Sequence, residues 1–257
     1  MSRGFRLESF AFRAAIKGRR FGRIAVYTLS MYFVTHLIVL LYLFPIGVPT
    51  IILNRGKAPS IKKGITGVLF RIIGQRPEVT GIDRVAPGQN YLIVSNYPGS
   101  YAGFALMDVF PGASILVHSF LSRIPLVGFL LKSTGAAFVQ WRTYGRSRQA
   151  IDKMIERVGD RSIIILPEGG RSADGRIRKF RRGFVYILRH SSLELLPVTL
   201  IGFYRLKPMK RVYLDPDVRL QVLIHRPIGR KTVDSLGDAE LIELTSRTIR
   251  GAYALQE

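Results

Sequence analysis

The residues with the greatest chemical capacity cluster between Leu166 and Gly183, in the run Leu-Pro-Glu-Gly-Gly-Arg-Ser-Ala-Asp-Gly-Arg-Ile-Arg-Lys-Phe-Arg-Arg-Gly. Glu168 offers a carboxylate beside Gly169 and Gly170, whose missing side chains let a ligand approach the backbone closely. Arg171 adds a planar guanidinium fork, which suits phosphate. Arg176, Arg178, Lys179, Arg181 and Arg182 follow, so an anion is the natural guest. Ahead of the loop, Ile163 to Leu166 is an unbroken apolar run, the pattern of a strand covered on both faces, and Pro167 ends it. An ordinary surface turn after a core strand leaves unexplained why Glu and Arg sit beside a double glycine.

The elements that must position this loop are legible as alternating periodicities. Strands are expected at Pro77 to Ile82, Tyr91 to Ser95, Ser114 to Val117, Ala137 to Val139, Ser162 to Leu166, Leu195 to Ile201 and Leu220 to Ile224. Helical spacing is present over Pro59 to Arg76 and Ser147 to Val158; Leu126 to Ser133 is apolar and expected to be helical, and Asp238 to Leu255 reads as a closing helix with Asp238 as its N-cap. This alternation predicts an α/β fold: a single, largely parallel sheet flanked by helices, with ligand loops at the strand carboxyl ends.

The chain has 257 residues, enough for one α/β domain and an accessory element. With no cysteine and four scattered histidines it has no disulfide or thiol nucleophile, and a zinc site is not expected. Its net charge is +22, yet 47% of its residues are hydrophobic. A nucleic-acid binder would rest on charge alone, since no aromatic-rich recognition motif or helix-turn-helix pattern is present. Basic and apolar together suit an anionic membrane surface, where each nearby Lys or Arg contributes about 1 kcal/mol.

Met1 to Arg23 carries seven basic residues against Glu8, interleaved with Phe5, Leu7, Phe10, Phe12 and Ile16, the pattern of a helix lying on a bilayer. Ile24 to Asn54 then contains no charged residue and is interrupted by Pro45, Gly47 and Pro49, and Arg55, Lys57, Lys62 and Lys63 follow. A single span would put one basic flank on the wrong side, whereas a re-entrant hairpin bent at Pro45 to Pro49 leaves both on the cytoplasmic face. The expected organisation is therefore a membrane-embedded region over 1–76 and an α/β domain over 77–257 on the cytoplasmic side.

Leu166 to Ser172 resembles the Phe-Pro-Glu-Gly-Thr-Arg-Ser block of the glycerophospholipid acyltransferases, of the lysophosphatidic acid acyltransferase type. Four blocks of that family occur in order between Tyr91 and Gly202. In the first, the family's Asn-His-x-Ser-x-x-Asp is matched by Asn96-Tyr97-Pro98-Gly99-Ser100-Tyr101-Ala102, so Tyr97 stands where the catalytic His belongs and Ala102 where its orienting Asp belongs. A phenol with a pKa near 10 is protonated at neutral pH, which makes Tyr97 a packing group or a hydrogen-bond donor before it is a base. In the second block, Gly135 to Arg142, the Arg arrives one residue late, and the resemblance implies Arg142 as a phosphate ligand. The neighbouring Leu121 to Gly128 matches a family connection that brings His118 near the pocket, the one histidine placed to substitute as base. The third block implies that Glu168, Gly169, Gly170 and Arg171, with Lys179 nearby, bind glycerol phosphate. The fourth, Leu196 to Ile201, resembles a strand lining the acyl side.

The resemblance implies transfer of a fatty acyl group from acyl-carrier protein or coenzyme A to a lysophospholipid such as lysophosphatidate, with no metal and no cofactor beyond that thioester co-substrate. Tyr97 and Ala102 keep a second reading open, a catalytically inactive relative that binds anionic lipid.

Overall fold

The structure, a computed structural model, describes residues 19–38, 49–50, 54, 56, 58–123, 128, 131–132, 136–139, 144–159, 161–211, 213–215 and 217–254. The strands are β1 (Glu78–Thr80), β2 (Tyr91–Ser95), β3 (Ser114–His118), β4 (Ala137–Val139), β5 (Ile163–Ile165), β6 (Glu194–Ile201) and β7 (Gln221–Ile224). The helices are α1 (Arg19–Ile38), α2 (Ala58–Ile73), α3 (Ala102–Val109), α4 (Tyr144–Val158), α5 (Gly183–Arg189), α6 (Phe203–Leu206), α7 (Arg230–Ser235) and α8 (Asp238–Ala254). The strands form one sheet in the order β1-β7-β6-β2-β5-β3-β4. Pairing is parallel throughout except between β6 and β7, so β6, β2, β5, β3 and β4 share one direction, while β7 and β1 run against it.

The central strands are apolar on both faces because both faces are covered. Tyr91 and Ile93 of β2 point into a core built with α2, α3 and α6, whereas Leu92 and Val94 point into a second core beneath α4, α5 and α8. Period-two alternation thus divides the molecule into two helical layers around the sheet. β2 and β4 occupy the expected residues, and the other strands agree with expectation to within one or two residues at either end, apart from the first, which ends at Thr80 and gives way to a helical turn over Ile82–Arg84.

α2 belongs to the first core: Leu69, Phe70 and Ile73 are buried in the same cluster as Tyr91 and Leu106. α1 docks beside it through one face. Ile24 and Thr28 are buried, the Tyr27 hydroxyl donates to the Ile73 carbonyl, and the Leu214 N–H donates to Thr28 Oγ1 at 3.2 Å. The opposite face exposes Val26 (65%), Leu29 (70%) and Phe33 (68%), so nothing among the described residues covers it.

Two expectations change. Among the described helices none is long and apolar enough to cross a membrane. α1 begins within the basic segment and lies against the α/β core, because the charge boundary at Ile24 does not interrupt its helical propensity; most of the expected bend at Pro45 to Pro49, the segment from Leu126 and Arg142 lie largely or wholly outside the described residues. Asp238 is the first residue of α8 rather than its cap. The Gly237 N–H ahead of it donates to Glu240 Oε2 at 2.7 Å, half of a capping box, and Asp238 instead accepts from Arg189 Nε at 3.2 Å.

If α2 folds as part of the α/β unit, Phe70→Ala, which empties a site 1% exposed, lowers the stability of the whole domain by about 3–5 kcal/mol. Urea unfolding followed at the domain core checks this, and a change confined to the N-terminal helices would separate α2 from that unit.

Candidate functional site

Adjacent parallel strands bring their carboxyl ends to one edge of the sheet, and the order β2-β5-β3 sets the loops after them side by side. Tyr97 follows β2, Glu168 to Arg171 follow β5, and His118 ends β3.

Glu168 is 2% exposed. Its Oε1 accepts the Tyr97 N–H at 2.6 Å and its Oε2 accepts the Arg178 N–H at 2.8 Å. The carboxylate therefore binds this chain's own backbone, joining the loop after β2 to both limbs of the loop after β5. Two further links tighten the junction: the Ser172 N–H donates to the Tyr97 carbonyl at 2.9 Å, and Arg171 Nη1 donates to Ser100 Oγ at 2.7 Å. Behind them Asn96 exchanges both amide bonds with Leu200 of β6, at 2.8 and 3.0 Å.

The double glycine makes room for arginines. Gly169 has φ +69°, the left-handed region, and a Cβ there would lie 2.7 Å from Arg181 Nε. The same atom on Gly170 would sit 3.4 Å from Arg178 Nη1. Arg178 and Arg181 thus cover the turn, while Lys179 between them is exposed.

Arg171 is close enough to act electrostatically on two groups. Burial pushes the Tyr97 phenol above its ordinary value, and the Arg171 charge only partly opposes this, so Tyr97 carries its proton at neutral pH. Lys207, just beyond α6, is pulled below the usual ammonium range by its own burial and by the cations Arg171 and Arg211. The edge of the sheet therefore crowds positive charge beside a phenol O–H, and the buried carboxylate nearest to it is engaged by backbone. Ser100 and Lys207 carried no sequence signal of their own, since each is identified only by what it meets in space, whereas Arg178 and Arg181 were legible as members of a basic run but not as the cover of the glycine turn.

His118 is less well equipped as a base than its strand position implies. It is exposed, it lies one strand beyond β5 from Tyr97, and its Nδ1 accepts the Phe120 N–H at 3.0 Å. That bond engages the Nδ1 lone pair with backbone. Ala102 opens α3 and is fully buried in the first core. Gly99 abuts α6 so closely that a Cβ would come within 2.8 Å of the Phe203 carbonyl oxygen.

A family model described as acyltransferase matches residues 76–201. A 1-acyl-sn-glycerol-3-phosphate acyltransferase of Borreliella burgdorferi is 32% identical over 171 residues, which are 65% of this chain and 66% of that protein. The chain belongs to the glycerophospholipid acyltransferase family. A chloroplastic 1-acyl-sn-glycerol-3-phosphate acyltransferase of Brassica napus is 23% identical over 63% of this chain and 48% of its own length. The human alpha form is 24% identical over 51% and 48%. The match thus spans about half to two thirds of these relatives. The crystal structure of the 1-acyl-sn-glycerophosphate acyltransferase of Thermotoga maritima shares the fold, with a TM-score of 0.74 over 90% of this chain and 94% of that one at 22% identity. Tyr97 and Ala102, which the sequence resemblance sets at the dyad positions, lie in the loop after β2 and at the first residue of α3.

Burial pushes the Glu168 carboxyl up, against the opposing pull of the Arg178 and Tyr97 N–H groups and of the Arg250 and Arg178 charges. With the folded value the higher one, the folded state binds its proton more tightly. The contribution of Glu168 to stability is then greatest below the ordinary carboxylate range and falls as pH rises through the raised value. Glu168→Ala is expected to orphan two backbone N–H groups at a cost of about 1–3 kcal/mol each, and to flatten this slope above about pH 4. Urea midpoints of both proteins across that range test the two effects together.

Proposed function

We propose that this protein is an acyltransferase acting on a lysophosphatidate-type acceptor at the carboxyl edge of β2 and β5. The observation that carries the reading is the crowding of Arg171 and Lys207 beside Tyr97, with the Glu168 carboxylate turned to backbone. A phosphate monoester satisfies such a site by charge and by hydrogen bonding, and Arg171 is preset for it by Ser100. Arg178 and Arg181 extend the positive surface over the glycine turn, Lys179 lies at its rim, and Arg142 is assigned here by the family pattern.

In the transfer, the acceptor hydroxyl oxygen forms an ester bond to the acyl carbonyl carbon. The carbon–sulfur bond of a coenzyme A or carrier-protein thioester breaks, and the hydroxyl proton ends on the departing thiol. Tyr97 keeps its proton and does not accept that one; in this reading its O–H donates to an oxygen of the substrate. Loss of a general base lowers a rate by about a hundred- to ten-thousand-fold, so turnover on positioning alone is slow. The same two residues, Tyr97 and Ala102, favour the second reading, a lipid-binding relative without turnover.

The site meets its lipid at a membrane. Val26, Leu29, Phe33 and Leu37 form one exposed apolar stripe on α1, and the Tyr27 and Tyr32 hydroxyls lie within electrostatic reach of Tyr101 in the loop after β2. A helix of this kind seats its apolar face about 5–10 Å into a bilayer interface, with the basic residues around it on anionic headgroups. The α/β domain then lies on the cytoplasmic face.

The test is an acyl-transfer assay with labelled acyl thioester and lysophosphatidate, alongside calorimetric binding of lysophosphatidate. Arg171→Ala is expected to weaken binding by roughly 1.5–3 kcal/mol. Binding without product would select the inactive relative, and unchanged binding by the variant would remove Arg171 from the site. Turnover at ordinary enzymatic rates that persists in Tyr97→Phe would place a base elsewhere.

A further inference from the structure

The segment 176–182 carries Arg176, Arg178, Lys179, Arg181 and Arg182 and no acid. Its two apolar members decide where these charges go. Ile177 and Phe180 are buried in the second core, with Val94 and Phe184, and this anchoring holds Arg176, Lys179 and Arg182 outward and exposed. α8 lies alongside and is tied to the segment twice: Arg250 Nη2 donates to the Arg178 carbonyl at 2.8 Å, and the Tyr253 hydroxyl donates to the Gly175 carbonyl at 2.9 Å. The helix adds Arg247 and Arg250, both exposed. The result is a rigid basic ridge on the α5 and α8 layer.

The ridge and the apolar stripe of α1 belong to opposite layers of the sheet. Ile177 and Phe180 pack with Leu92 and Val94, whereas α1 docks through Ile73 and Leu214, which pack with Tyr91 and Ile93. A bilayer seated on α1 leaves the ridge on the far layer, facing the aqueous phase. Yet the ridge is continuous with the site, because the side chains of Arg178 and Arg181 reach back over Gly170 and Gly169.

We propose that this ridge docks a soluble protein with an acidic face, and that this protein delivers the acyl group; the delivery part rests on the acyl-transfer reading above. A carboxylate-rich surface complements the ridge without competing with the membrane. From there a flexible arm carrying a thioester reaches the Tyr97 loop across the Arg178 and Arg181 side chains. Single exposed ion pairs are weak, but a patch of one sign steers a protein of opposite charge and sets its orientation, in a way that salt suppresses.

The experiment uses the full chain in detergent and, as the probe, an acidic acyl-carrier protein labelled for fluorescence anisotropy. It is compared with Arg176→Glu/Arg182→Glu/Arg247→Glu. The wild type is expected to bind the carrier with an affinity that falls with salt, and the variant to lose about tenfold or more. Partition onto vesicles of phosphatidylcholine and phosphatidylglycerol, and transfer from a coenzyme A thioester, are expected to be equal in the two proteins. Should the triple variant not fold by circular dichroism, Arg182→Ser/Arg247→Ser carries the same comparison. Carrier binding that is absent, or that survives in the variant, overturns the proposal, as does a variant that releases vesicles while keeping the carrier. Because binding is read without turnover, a chain that binds the carrier and transfers nothing defeats the acyl-transfer reading alone, while one that transfers from coenzyme A and ignores the carrier defeats the docking alone.

Discussion

Glu168 gives one oxygen to the N–H of Tyr97 and the other to the N–H of Arg178, and the shape of the whole edge follows from that pair of bonds. Both donors lie beyond the ends of strands, where no ladder satisfies them, and a buried N–H without a partner is costly. One buried carboxylate supplies both partners, so the two loops move as one body. Ser100 and Arg171 add a side-chain link across the same gap. The acid that the sequence pattern offers to a ligand is instead the fastening that holds the site's loops.

That use of the carboxylate sets the electrostatics of the surface. Its charge is directed at backbone inside the junction, while Arg171, Arg178, Arg181 and Lys207 gather around the outside. Cations held together by a scaffold are a prepared anion site. Much of the work of assembling them is already done by folding, which limits what a phosphate must reorganise when it binds.

The sheet was legible because its central strands are short apolar runs ended by polar or proline residues: Tyr91 to Ser95 stops at Asn96, and Ile163 to Ile165 stops just before Leu166-Pro167. α3 and α5 were missed for the converse reason. Ala102–Val109 is apolar around most of its circumference, and Gly183–Arg189 buries Phe184, Val185, Ile187 and Leu188, so neither shows the polar face by which a helix is read. At the amino end, an absence of charge over Ile24 to Asn54 was read as membrane insertion, but α1 runs across that boundary and buries Ile24 and Thr28 against protein. Of the site, the local motif from Glu168 to Arg171 was legible, and its partners were not. Lys207 and Ser100 join it through tertiary folding alone, and whether Glu168 faces ligand or backbone is a matter of where two N–H groups lie.

Ala102 has a consequence for substitution at this edge. It opens a helix with its methyl group sealed in the core, and the loop ahead of it is drawn against the Phe203 carbonyl at Gly99. Building the dyad that the sequence resemblance implies therefore has no favourable first step. An imidazole at 97 alone would find no carboxylate to orient it, and a carboxylate at 102 alone would be buried without a counter-charge, at a cost in stability. The two changes are useful only together. Each substitution thus carries its own penalty without the other's benefit, so a single-step exchange at either position is disfavoured.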